Sequence, residues 1–168
     1  QVYMNELRLS NVKKEKGMAM RSRMDFAWAD LIRFNGEVTK DDADFHNVAQ
    51  RFGTGDNDFS YNYNTSIQLD KFLPSQLGIS LPVSWNYANS EATPKYVPGT
   101  DVEITDTTPD SVIEEIQKAS TRMGYNVSLG FNSRSQNFFV KNLLSGLKVR
   151  YSKNESESSD SRTLFSTS

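Results

Sequence analysis

The chain has 168 residues, no cysteine, and a formal net charge of -2 from 19 basic and 21 acidic side chains. That length suits one ordinary domain, the balanced charge offers no basic face for nucleic acid, and the lack of cysteine excludes disulfides, thiolate metal sites and cysteine nucleophiles. No stretch approaches the roughly 20 apolar residues of a membrane helix, but a membrane strand needs only about 9–11 residues with every second one apolar, so the mean hydropathy of -0.61 excludes no barrel.

In chain order, Met18, Met20, Met24, Phe26 and Trp28 alternate with Ala19, Arg21, Arg23, Asp25 and Ala27. Ile32, Phe34, Gly36 and Val38 then alternate with Arg33, Asn35 and Glu37. Period-two alternation marks a strand with one dry face, so the two runs predict a hairpin with a tight turn at residues 29–31. A long loop over 39–57 carries His46 among Asp41, Asp42 and Asp44. One histidine beside exposed carboxylates is a weak basis for a metal or catalytic site.

The alternation resumes with Phe59, Tyr61, Tyr63, Thr65, Ile67 and Leu69 against Ser60, Asn62, Asn64, Ser66, Gln68 and Asp70. After "KFLPSQ" it continues with Leu77, Ile79, Leu81, Val83, Trp85 and Tyr87 against Gly78, Ser80, Pro82, Ser84 and Asn86. Folding this second hairpin about Leu73 pairs Tyr61 with Trp85 and Phe59 with Tyr87, gathering the aromatic rings at its open end. Pro82 cannot donate to a ladder and predicts a bulge or kink.

A second long loop, 88–121, holds a predicted helix. Thr108 suits its cap, Pro109 its first position, Ser111 with Glu114 a capping box, and Val112, Ile113, Ile116 and Ala119 an apolar face. Met123, Tyr125, Val127, Leu129 and Phe131, then Leu147, Val149 and Tyr151, complete six predicted strands. The fold expected is all-β, an antiparallel up-and-down meander of long strands with one short helix in a long loop. Short and long connections alternate, as the turns and outer loops of membrane barrels do, and six strands are too few to close one. The expectation is therefore a segment of a longer barrel: residues 17–155 as wall, and 156–168 as a loop or a disordered cut end. No phosphate loop, nucleophile elbow or paired-histidine helix occurs, and "DVEITDTTPD" lacks the glycine and terminal glutamate of a calcium loop. Neither an enzyme, a cofactor nor a metal is expected.

Several phrases then become informative together: "VYMNELRLSNV", with Asn5, Glu6, Leu7, Arg8 and Leu9; "WADL"; "LDKFLPSQLGISLPVSWNYANSEATPKYVPGTDV", with Thr93, Pro94, Tyr96, Pro98 and Asp101; and "VRYSKNESES". Their order resembles the SprA/Sov family of very large outer-membrane proteins, over most of residues 2–155. Residues 43–57 and 106–120 depart from that wording. The opening "VYMNELRL" also resembles the closing strand of jelly-roll carbohydrate-binding domains, so residues 1–10 belong either to a preceding sandwich or to a first barrel strand.

The resemblance implies a giant single-chain outer-membrane β-barrel, the protein-conducting translocon of the type 9 secretion and gliding machinery in a Gram-negative envelope. Its implied partners are outer-membrane lipid, the rest of the parent barrel, plug and shuttle proteins, and exported protein cargo. In such a wall Phe59, Tyr61, Tyr63, Ile67, Leu69, Ile79, Leu81, Val83, Trp85 and Tyr87 are expected to face lipid. Asn62, Asn64, Gln68, Ser80, Ser84 and Asn86, with Arg21, Arg23 and Asp25, are expected to face the lumen. The charges among them suit cross-strand pairs or the grip of a plug. Two alternatives stay open: a soluble β-sandwich module binding cell-surface glycan or protein, and a barrel carrying small molecules or lipid.

Overall fold

The computed structural model describes residues 16–50, 52–105, 107–131, 138–139, 141–142, 146–160 and 163–167. The expectations for residues 1–10 lie outside the described residues. One antiparallel sheet contains every strand among the described residues: β1 (Ala19–Trp28), β2 (Ile32–Asp41), β3 (Asp56–Gln68), the two-residue β4 (Ile79–Ser80), β5 (Pro82–Pro94), β6 (Lys118–Phe131), β7 (Lys148–Asp160) and β8 (Thr163–Thr167). Spatial order follows chain order, with β4 continuing the line of β5 against β6. This is the all-β meander that the alternation predicts.

The first hairpin turns where expected. Leu31 N–H donates to Trp28 O at 3.1 Å, and Ala29 takes a φ of 45°, the left-handed region that favours glycine. In the second hairpin the register differs from the expected one. Tyr63 pairs with Tyr87 and Thr65 with Trp85, while Tyr61 and Phe59 oppose Asn89 and Glu91. Two 3-10 turns, Leu69–Phe72 and Ser75–Leu77, occupy the connection and carry its axis past Leu73. The displacement is an even number of residues, so each side chain keeps its face.

No bulge occurs at Pro82. Ile79 opposes Phe131 and Val83 opposes Val127, one unbroken register on both sides of the proline. Its missing N–H falls in the gap between β4 and β5, the first-residue position that a strand proline tolerates. The strands also outrun the alternation: β2 reaches Asp41, β3 starts at Asp56, β5 runs to Pro94 and β6 starts at Lys118. Backbone pairing continues where the apolar rhythm stops, which shortens the long loops to 42–55 and 95–117. For the same reason β7 extends to Asp160 and β8 pairs back onto it, where a loop or disordered end was expected over 156–168.

The helix α1 spans Asp110–Ile116. Pro109 holds its N-cap position without any side-chain cap bond, and the Thr108 hydroxyl instead accepts from Thr105 N–H at 3.0 Å. Ala119, expected on the helix, lies in β6. Among the described residues Ala43 is the sole buried apolar side chain, at 4% exposure. Among the described residues the sheet is thus a single layer with neither face covered and no core between layers.

Candidate functional site

The candidate site is the pair of sheet faces and the loops at one end. Register sorts them. Even positions of β1 and β2 share a face with odd positions of β3, β5, β6 and β7. That face is apolar: Phe59, Tyr61, Tyr63, Ile67, Val83, Trp85 and Tyr87 lie on it, joined by Met24, Phe26, Phe34 and Val127. Ile79, opposite Phe131, continues it. Leu69 and Leu81 do not belong to the ladder as expected. Leu69 begins a 3-10 turn and Leu81 lies between β4 and β5, and Leu69 N–H donates to Leu81 O at 3.0 Å.

Rings dominate the middle of this face. Tyr63 stacks on Tyr87 with centroids 5.3 Å apart and meets Trp85 edge-on at 5.4 Å; Tyr61 stacks on Tyr87 at 5.8 Å, and Trp85 on Tyr125 at 5.9 Å. The rings thus meet mid-sheet rather than at the open end of the hairpin. Phe34, stacked on Tyr63 at 6.4 Å, also lies over Gly36, where a Cβ would stand 3.1 Å from its ring. A ring over a strand glycine restores the contact that the missing side chain gives up.

The opposite face carries Asn62, Asn64, Gln68, Ser84 and Asn86, with Ser80 opposite Gly130 in β6 and Arg21, Arg23 and Asp25 in β1. Its β1–β2 part is charged. Glu37 accepts from Arg21 at 2.6 Å and Arg23 at 2.7 Å, and Asn35 Nδ2 donates to Asp25 Oδ1 at 2.6 Å. Farther across, a level row runs through Asp25, Asn35, Asn64, Asn86, Gly124 and Asn154. Gly124 is what lets this row close up, because a Cβ there would stand 2.5 Å from Asn86 Oδ1 and 2.6 Å from Asn154 Oδ1. One row away, Asn126 Oδ1 is buried and without a partner among the described residues.

Pattern reading missed a polar network at the long-loop end of the apolar face. Thr121 Oγ1 donates to Asn89 Oδ1 at 3.0 Å, Asn89 Nδ2 to Glu91 Oε1 at 2.8 Å, and Gln117 Nε2 to Glu91 Oε2 at 3.3 Å. The signal was present: past Tyr87 the odd positions turn polar while strand pairing continues.

The loops at that end are tied together. Met18 N–H donates to Asp42 Oδ2 at 3.0 Å, Ala43 N–H to Asn57 Oδ1 at 3.0 Å, and Lys95 Nζ meets Asp44 Oδ2 at 2.7 Å across the two long connections. Thr93 and Pro94 pair with Asn57 and Asp56. Tyr96 bridges to Glu103 around a tight turn in which Pro98 precedes Gly99 at φ 79° and Thr100 N–H donates to Val97 O at 3.0 Å. Pro then Gly is the pairing that a type II turn selects. Asp101 follows that turn; Asn5, Glu6, Leu7, Arg8 and Leu9 lie outside the described residues. His46 Nδ1 is 2.9 Å from Asp44 O, and among the described residues no grouping of histidine and carboxylate suits a metal ion.

No curated protein matches the chain. The family model SprA_N, described as motility related/secretion protein, matches residues 1–107, a span that runs from the N-terminus through the first five strands and the Pro98–Gly99 turn. The chain therefore belongs to the SprA N-terminal family of motility-related and secretion proteins.

Proposed function

We propose that this chain forms part of the wall of a protein-conducting outer-membrane channel that exports secreted proteins, and that it performs no catalysis of its own. The observation that carries this reading is the sheet that the described residues form, a single layer with one uncovered apolar face and one polar face. An apolar surface of this extent costs about 25 cal/mol per Å² in water, so a soluble monomer does not leave it bare. A soluble sandwich would cover it with a second sheet, and the described residues contain none. Lipid covers it without further protein.

The same reading accounts for the other face. In lipid every backbone group needs a partner, so the outer strands must meet further strands of a closed barrel. The inward face then borders water, and Ser, Asn and Gln give it hydration without a single-sign field that would hold charged cargo. Outer-membrane lipid, neighbouring barrel strands, a plug or shuttle protein and the cargo itself are the partners this proposal requires.

Single cysteines at residues 83–87 of the full-length protein, probed in intact outer membranes, test it. Ser84 and Asn86 positions should react with a charged maleimide, and Val83, Trp85 and Tyr87 positions only with a lipid-resident reagent. If the odd positions resist both reagents, their face is packed against protein and the wall assignment is wrong. Loss of secreted proteins from the medium on depletion separates an export channel from a carrier of small molecules or lipid.

A further inference from the structure

In the middle of the polar face, Arg122 lacks the counter-charge that the arginines of β1 have. Arg23, Glu37, Asn62, Ala88 and Arg122 are level across β1, β2, β3, β5 and β6. Arg21 and Arg23 both reach Glu37. Arg122 stands three strands from that carboxylate, about 14 Å away, and its side chain has no ion pair or hydrogen bond among the described residues. Lys118, on the same strand, is already engaged by Asp56 at 4.0 Å.

The strand beside Arg122 leaves a hollow. On this face β5 presents Ala88, Ser90 and Ala92, between Asn62, Ser60 and Asp58 of β3 and Arg122, Ser120 and Lys118 of β6. Those flanking strands lie about 10 Å apart, two inter-strand spacings, so the small residues of β5 make a floor between taller walls. Both ends are shut. Asn86 closes over Gly124 at one, and Lys118 crosses β5 beyond Ser90 to reach Asp56 at the other. The hollow between them, about 380 Å³, is lined by Ser60, Asn62, Ala88, Ser90, Ser120 and Arg122, far more room than the roughly 30 Å³ of one water. The three hydroxyls and the Asn62 amide have no side-chain partner among the described residues.

We infer that this hollow binds the carboxylate of an aspartate or glutamate on a polypeptide segment that passes over the polar face. The guanidinium fork matches the two oxygens of a carboxylate, and serine hydroxyls donate to the lone pairs that the fork leaves open. No carboxylate lines the hollow, so no neighbour repels the ligand's charge. Being shut at both ends, it takes a side chain entering from the water above rather than a chain laid along the strand. This rests on the barrel-wall reading, in which polypeptide moves over this face, and adds to it a point of attachment.

The test places a cysteine at Ser156, level with Arg122 on β7 and outside the hollow, in the full-length protein with its other accessible cysteines replaced. A benzophenone maleimide is attached in intact outer membranes and irradiated, and the adducts are mapped by mass spectrometry. The expected adduct is a polypeptide segment with an aspartate or glutamate beside the attachment point. Arg122→Glu should cut its yield about tenfold or more through like-charge repulsion, Arg122→Lys should cut it less, and Arg150→Glu, farther down β7 on the same face, should leave it unchanged. Changing the mapped acid to arginine should restore the yield in the Arg122→Glu protein. An adduct on a secreted protein makes the ligand cargo and one on an envelope protein a resident partner, and the charge reversal must hold for either. No polypeptide adduct, or a yield that Arg122→Glu and Arg150→Glu lower alike, would overturn the site and leave the wall reading standing. A Ser156→Cys protein that the maleimide never reaches would overturn both.

Discussion

The β1–β2 hairpin and the β5–β6 pair obey one rule of polarity and are held in register by different chemistry. In the hairpin the polar face is fixed by charge, with Arg21 and Arg23 converging on Glu37, and every residue of β1 is exposed. In β5–β6 the ion pair on the polar face is the looser contact of Lys118 with Asp56 of β3, at 4.0 Å. The side chains of that face are small enough for Asn86 and Asn154 to close over Gly124, while Trp85 and Tyr125 stack behind them. The difference teaches that steric fit needs strands on both sides. β1, with one described neighbour, relies on long side chains that reach across a single pair, a solution that salt screens.

Five substitutions probe this contrast, beginning with what both regions share. Ile67 pairs with Ile32 on one side and Val83 on the other, so an arginine there places a charge on the common dry face. If the sheet is the barrel wall proposed above, Ile67→Arg should cost about 2–4 kcal/mol, the cost of a charge on a lipid face, and Ser66→Arg on the opposite face almost nothing; urea midpoints of the full-length protein in lipid vesicles compare them. Equal losses would show that the two faces meet the same environment. Next, Gly124→Val should destabilise by about 1–3 kcal/mol, the cost of overpacking a closed site. The hairpin offers a milder counterpart: Gly36→Val meets only the movable Phe34 ring, and a loss as large as that at Gly124 would erase the distinction between the regions. The smallest effect has the opposite sign. Ala29→Gly should raise stability by about 1 kcal/mol, because glycine adopts a left-handed φ without the Cβ clash, and the gain should be lost in a protein whose hairpin is already severed at that turn.

Which residues share a face was legible because a parity rule needs no register. Tyr63 and Trp85 belong to the apolar face whether or not the hairpin axis is known, and an even displacement leaves them there. Who sits beside whom was not legible, since the residues taken up by the 3-10 turns at Leu69–Phe72 and Ser75–Leu77 decide it, and no periodicity counts them. The Asn86–Gly124–Asn154 contact therefore stayed hidden, being a property of three strands at once. The Pro98–Gly99 turn was not read although its local chemistry was there, and the Asn89–Glu91–Thr121 network was overlooked because a search for alternation stops where alternation stops. The helix was visible in its apolar positions and misjudged at its cap, where Thr108 closes its own turn with Thr105 instead.

Strand order in space matches strand order along the chain, and that has a kinetic meaning. Each long strand meets the long strand synthesised just before it, so assembly can proceed hairpin by hairpin, the order in which chain closure needs no distant partner. The connections between the long strands range from three residues at Ala29–Leu31 to the 95–117 span, yet each doubling of a loop adds only about 0.6 kcal/mol of closure entropy. With almost nothing buried between layers, no step waits for a collapsed nucleus. Such a ribbon can be threaded through a machine and zipped onto a growing edge one strand at a time.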